Sequence, residues 1–360
     1  MSRPGSRPRW KSWAGRLGLL IFSSLLALGL AEIVCRQWVE IGSFRWVADG
    51  EGNWNSPDPL LEYRLSPGWR GSIQAPEYHQ QVEINSRGFR GPEPGPEPAI
   101  WVFGDSFVFG VGAELEESLP FLLGERLGRP VWNLGVPSWS GPQYRRDLER
   151  RLAETRAGER PLAVAVVFFL GERISTANDL IGALDFLDHL EGGRPQREAP
   201  KKTESAKKWL SRHSALYNAM LHRFAPGLRG LLRRHTELSP ADQAKIEAGW
   251  QRLALDLAEL AAVAERERLP LLVAAMPEQG DLARGDGEHL SRVGPRFLEL
   301  AAAAGLPALD LSPALRAEPA RRVFYPRDGH LTARGNRLAA AALAAALREE
   351  LPFRELAAPN

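Results

Sequence analysis

Residues 99–107 read Ala-Ile-Trp-Val-Phe-Gly-Asp-Ser-Phe, an apolar run that ends on a glycine, an acid and a serine. A strand with one wet face alternates apolar and polar residues. An apolar run without that alternation is buried on both faces, as in a parallel sheet covered by helices. Four more runs of this kind occur at 130–134 (PVWNL), 162–170 (LAVAVVFFL), 269–275 (LPLLVAA) and 307–311 (PALDL). Between them lie stretches with helical patterning at 117–127, 143–154, 241–268, 290–304 and 332–347. Strand–helix alternation of this length predicts one doubly wound α/β domain with a parallel sheet in a three-layer sandwich.

Upstream, residues 43–98 are rich in Pro, Gly and Trp and lack helical periodicity, while 80–84 alternate. Short strands joined by turns are expected there. Residues 91–98 (GPEPGPEP) read as a stiff linker. Residues 185–240 form an insertion with basic stretches at 201–212 and 223–234, the second carrying Leu228, Leu231 and Leu232 at helical spacing. It reads as a solvated lid or packing helix, or as an amphipathic helix on anionic lipid.

At the N-terminus, Arg3, Arg7, Arg9, Lys11 and Arg16 precede an uncharged run over 17–31, which reaches Cys35 if Glu32 is allowed. At ~1.5 Å per residue this just spans a ~30 Å hydrocarbon core. Basic residues before the run leave the N-terminus in the cytoplasm and export the rest of the chain. The expectation is an uncleaved anchor. A cleaved signal at Gly29-Leu30-Ala31 and a lipoprotein signal at Cys35 are the alternatives, the latter opposed by Glu32, Ile33 and Val34. The organisation predicted is a basic tail (1–16), a transmembrane signal-anchor (17–35), an extracytoplasmic lead-in (36–98), the α/β domain (99–351) and a C-terminal tail (352–360).

The chain has 360 residues, net charge +2, 44% hydrophobic and 25% charged residues, and one cysteine. These values exclude wholesale disorder, a disulfide framework and a cysteine-based zinc cluster. The near-neutral balance argues against nucleic acid as a partner. No cofactor or metal is expected, since the histidines outside 330 make no ligand spacing with carboxylates and no phosphate-binding loop is present.

Ser106 comes directly after the first buried strand, at the end of the sheet where α/β ligands bind. Near the C-terminus, residues 325–331 (YPRDGHL) open the last helix, with Asp328 two positions before His330. A serine needs a base to become nucleophilic, and the base needs a carboxylate to fix its tautomer. Ser106, His330 and Asp328 are candidates for these roles. A helix cap at Asp328 with a packed His330 is the plainer alternative. Trp132 and Trp139 are core residues or a stacking platform for a sugar ring.

These blocks resemble those of the SGNH (GDSL-type) hydrolases, in particular the membrane-anchored bacterial type, over residues 84–350. Residues 85–91 (NSRGFRG) are similar to the lead-in ahead of the nucleophile block. Gly104-Asp105-Ser106-Phe107 matches the nucleophile block, Asn133-Leu134-Gly135 the second block, and Asp328-Gly329-His330-Leu331 with Gly335 the last. The resemblance implies a flavodoxin-like fold, Ser106 as nucleophile, His330 and Asp328 as base and acid, and an oxyanion hole from the N–H groups of Ser106 and Gly135. Glu172 departs from the pattern, standing where the family's third block offers an asparagine to the oxyanion. Loss of such a donor costs ~10²–10³ in rate. Asn178 and Asp179 lie close enough in sequence to substitute. The Asp-x-His spacing also departs from the commoner three-residue separation, though some membrane-associated relatives acting on exopolysaccharide share it.

The function expected is a membrane-anchored serine esterase facing the periplasm from the bacterial inner membrane. Its substrates would be acyl esters, O-acetyl groups among them, on cell-envelope or exported glycans, or on lipids. The alternatives are an O-acetyltransferase for exported polysaccharide and an impaired, binding-only relative.

Overall fold

The unalternated runs become the core strands of a computed structural model that describes residues 9–37, 47–75, 77–155, 160–171, 179–191, 214–217, 220, 239–282 and 292–350. The chain divides into two compact units, Met1–Phe44 with Pro200–Glu237 and Arg45–Ala199 with Leu238–Asn360.

In the larger unit the lead-in strands are β1 (Val47–Gly50), β2 (Asn55–Asp58), β3 (Glu62–Leu65), β4 (Arg70–Ala75) and β5 (Tyr78–Glu83). They form a three-stranded sheet in the order β1-β4-β5 and an antiparallel β2-β3 pair. Five parallel strands come next: β6 (Ile100–Gly104), β7 (Val131–Gly135), β8 (Ala163–Leu170), β9 (Leu271–Pro277) and β10 (Ala308–Asp310). Their spatial order is β10-β9-β8-β6-β7. Numbered within the sheet this is 2-1-3-4-5, the doubly wound flavodoxin-like order, whose switch point lies between β6 and β8. Every residue of β6, β8 and β9 is buried, which is why these runs carry no polar alternation.

Helices cover both faces. One face packs Trp101, Phe103, Val166 and Val273 against α4 (Gly141–Glu154), α6 (Pro240–Glu267) and α8 (Val293–Ala303). The other packs Ile100, Val102, Ala165 and Leu272 against α3 (Leu119–Leu127) and α11 (Ala333–Glu350). Trp132 stacks on Trp101 and Phe89, and Trp139 is buried, so both indoles are core residues. Among the helices that go beyond the sequence expectation are the single turn α2 (Ser106–Phe109) and α5 (Asp179–Glu191), which begins inside the stretch read as loop and insertion. The short helices α7 (Gln279–Leu282), α9 (Ser312–Leu315) and α10 (Ala320–Val323) complete the unit.

The lead-in shares the main core. Leu61, Leu65, Trp69, Ile73, Val82, Ile84 and Phe89 belong to the same buried cluster as the sheet. The Gly/Pro stretch after it is pinned, with the Pro92 carbonyl accepting from Asn85 Nδ2 at 2.9 Å and Glu93 accepting from Ser86 Oγ at 2.6 Å.

In the smaller unit α1 (Arg9–Arg36) contains a segment, Arg16–Arg36, of mean hydropathy 2.2 and none of it buried, long and apolar enough to cross a membrane. Leucines exposed all round such a helix call for an apolar surrounding. Its one carboxylate, Glu32, is not left bare: Ser214 Oγ donates to it at 2.8 Å, and the N–H groups of Ala215 and Leu216 at 2.9 Å. The basic stretches 201–212 and 223–234 lie outside the described residues.

Candidate active site

Strand β6 ends at Gly104, and the chain turns at once into α2. A Cβ at Gly104 would run into Val108 Cγ2, so only glycine lets the helix turn pack on the strand end. Asp105 caps the turn, its Oδ1 accepting from the Phe107 N–H at 2.9 Å. Ser106 is the first residue of α2, where an N–H has no intrahelical acceptor. The nucleophile candidate therefore stands at the C-terminal edge of the sheet, beside the switch point.

The second loop comes from the far end of the chain. Between α10 and α11 a bridge pairs Phe324 with Leu331, and the Tyr325 N–H donates to the His330 carbonyl at 2.9 Å. Gly329, at φ +87°, turns the chain left-handed between the two, a conformation that favours glycine. This tight loop brings Asp328 and His330 over Ser106. His330 Nε2 lies 2.8 Å from Ser106 Oγ, and its Nδ1 contacts Asp328 Oδ2. Asp328 Oδ2 also accepts from Tyr78 Oη at 3.0 Å; a carboxylate oxygen facing Nδ1 favours the tautomer in which Nδ1 carries the proton and Nε2 is the acceptor facing the serine hydroxyl. The imidazole rests on the Phe107 ring, with centroids 5.1 Å apart. Ser106 is nearly buried, 9% exposed.

Acidic groups lie behind the serine. Burial pushes the Asp105 carboxyl up to about 6, opposed by the Phe107 N–H and the neighbouring His330. Asp179 is raised well above the usual carboxylate range by burial and by the charge of Asp105. It accepts from the Phe169 N–H at 3.1 Å and sits 3.2 Å from Tyr144 Oη. Asp179 is thus committed to the core and does not substitute as an oxyanion donor.

The oxyanion hole departs from what the resemblance implies. The Gly135 N–H donates to Asn133 Oδ1 at 3.1 Å and is engaged within the chain rather than held open for a substrate oxygen. The reason Gly135 has no side chain is also visible: a Cβ would collide with the Phe109 nitrogen, so the glycine admits α2 against β7. Glu172 and Asn178 lie outside the described residues.

The lead-in supplies contacts that motif reading alone does not find. Arg90, 2% exposed, donates from Nη1 to the carbonyls of Phe109 (2.9 Å) and Gly110 (2.8 Å) and from Nη2 to Ala113 (2.8 Å). Burial lowers its guanidinium to about 10. Gln80 Nε2 donates to the Gly110 and Ala113 carbonyls, and its Oε1 accepts from the Gly112 N–H. The loop after the serine is therefore held from behind by two buried polar side chains. The sequence signal for this is Gln80 on the inward face of an alternating strand, a polar residue where an apolar one belongs.

Residues 231–360 match the family model described as "SGNH hydrolase-like domain, acetyltransferase AlgX". That span contains the Asp328–His330 loop and begins after the Ser106 turn. No match was found among curated protein sequences. The chain is similar to a putative lipolytic protein of the G-D-S-L family from Desulfitobacterium hafniense (17% identity, TM-score 0.34, covering 70% of this chain and 100% of that one). It is also similar to a lipase/acylhydrolase from Enterococcus faecalis (14%, 0.36, 71% and 97%). A third is the SGNH-hydrolase family esterase AlinE4 (19%, 0.34, 72% and 100%).

Proposed function

Proceeding from a chain whose residues 231–360 match an SGNH hydrolase-like family model, we propose that it is a membrane-anchored serine esterase of the cell envelope. The observation that carries this reading is the Ser106–His330–Asp328 contact chain at the end of β6, with 2.8 Å between Oγ and Nε2. His330 Nε2 takes the Ser106 proton as Oγ attacks an ester carbonyl. Asp328 holds the ring and stabilises the imidazolium that forms. The Ser106 N–H, at the start of α2, supports the developing oxyanion. His330 then returns the proton to the departing alkoxide, and an acyl-Ser106 ester remains. Water, deprotonated by the same nitrogen, releases the acid and restores the serine.

Substrate class follows from location. The apolar helix Arg16–Arg36 anchors the chain in the inner membrane, the basic residues before it keep the N-terminus in the cytoplasm, and the large unit faces the periplasm. Acyl esters on envelope or exported glycans, O-acetyl groups in particular, are the esters within reach there. A second reading, acyl transfer from Ser106 to a sugar hydroxyl in place of water, is favoured by the acetyltransferase named in the matching family model.

Turnover of p-nitrophenyl acetate by the detergent-solubilised full chain, with and without de-acetylated oligosaccharide, tests both. Hydrolysis predicts nitrophenol release in water alone, lost in Ser106→Ala. Transfer predicts release that rises with the oligosaccharide and recovery of an acetylated sugar. A folded protein that does neither contradicts the proposal.

A further inference from the structure

The β4–β5 hairpin reaches into the acid–base loop by contacts that the proposed reaction does not use. Glu77 Oε2 accepts two consecutive backbone N–H groups of that loop, Arg327 at 2.9 Å and Asp328 at 2.8 Å. The next residue, Tyr78, donates its hydroxyl to Asp328 Oδ2, the same oxygen that faces His330. Its ring packs against Tyr325, with centroids 5.0 Å apart. Tyr325 in turn donates to the Gly112 carbonyl at 2.8 Å, and the Gly112 N–H is held by Gln80 of β5. One hairpin thus ties together two loops distant in sequence, the one after the serine and the one bearing the acid and base.

We infer that Glu77 and Tyr78 are positioning residues that hold Asp328 against His330: Glu77 fixes the backbone of the acid and Tyr78 fixes its carboxylate. The inference rests on the serine reading of this site, although the contacts it invokes exist whatever the reaction. A carboxylate with one donor can rotate. With His330 and Tyr78 on one oxygen and its own N–H tied to Glu77, its χ angles and its backbone are both set. Burial and the Asp328 charge raise the Tyr78 hydroxyl above its ordinary range, so it remains a donor at all working pH. The groups facing His330 are Asp328 from its own loop, Ser106 and Asp105 from the end of β6, and the Glu77–Tyr78 pair from the hairpin.

The test has two readouts on the full chain in detergent micelles. The first is the titration of the His330 ring by NMR, assigned with His330→Gln, in wild type, Tyr78→Phe, Glu77→Ala and Glu77→Gln. A held carboxylate stabilises the imidazolium. Releasing it in Tyr78→Phe or Glu77→Ala therefore lowers the His330 pKa by about half a unit or more. Glu77→Gln keeps an acceptor for both N–H groups and recovers most of the difference. An unchanged or raised value in both loss variants overturns the inference, since a tyrosine that merely drew charge from Asp328 would raise it. The second readout is the rate of labelling by a fluorophosphonate probe. Tyr78→Phe, whose ring still packs on Tyr325, is expected to slow it about tenfold. Equal rates in wild type and Tyr78→Phe overturn the inference. Wild type that is not labelled at all sinks the serine reading instead, and the titration still decides the role of the hairpin.

Discussion

At the scale of single residues, the site is built from polar groups held by partners inside the fold, and each makes a separate prediction. Arg90 commits a buried guanidinium to backbone carbonyls, those of Phe109, Gly110 and Ala113 at the end of α2 and in the loop after it and that of Gln81 on β5, rather than to a carboxylate. Hydrogen bonds from a charged donor are worth ~1.5–3 kcal/mol each. Gln80 and Asn133 still serve the same carbonyls when Arg90 is lost. Arg90→Met should therefore cost on the order of 3 kcal/mol in urea unfolding, well below the sum of its bonds. Asp105 predicts a pH effect. Its folded pKa, about 6, lies above the ordinary value of 3.8, so the folded state holds the proton more tightly than the unfolded one. By linkage, its contribution to stability is present below pH 3.8 and is lost as pH rises through about 6. Asp105→Asn keeps the cap acceptor for the Phe107 N–H without the titration. The variant should gain on wild type in melting temperature between about pH 4 and about pH 8, and a constant difference across that range would contradict the assignment.

At the scale of elements, close approach of backbone to backbone decides the geometry. The single turn α2 lies on β7 only because position 135 has no side chain. Gly135→Ala should displace α2, slow serine labelling at least tenfold and lower the melting temperature. Wild-type labelling in a folded Gly135→Ala protein would show that the turn tolerates the added methyl. The central strands and long helices were legible in sequence because burial on both faces leaves a composition signature that needs no partner to be read. The apolar runs match β6 to β10 within two residues at each end. Helix α5 was not legible, since its start lies beside the motif-bearing turn and Asp179 reads as a loop acid rather than a buried one. The candidate site was legible in part. Ser106, Asp328 and His330 announce themselves by type and spacing. The commitment of the Gly135 N–H to Asn133, and of Tyr78 to Asp328, depends on distances that sequence does not encode.

At the scale of the whole molecule, the lead-in is a structural part of the larger unit, a role that its Pro/Gly-rich sequence of short strands does not announce. Seven of its apolar side chains sit in the main core, from Leu61 to Phe89. Burial of each side chain of this size contributes ~1.5–3 kcal/mol. A chain starting at residue 99 should therefore fail to give a cooperative thermal transition by circular dichroism. One starting near residue 41 should melt cooperatively, and cooperative melting of the shorter chain would contradict this account of the core. The proposed chemistry rests on the serine at the end of β6. The most direct measurement is intact mass and peptide mapping of the full chain after reaction with a fluorophosphonate. One adduct per chain is expected on the peptide bearing Ser106, absent in Ser106→Ala and formed far more slowly in His330→Ala. A folded chain that stays unmodified, or an adduct that persists in Ser106→Ala, would contradict it.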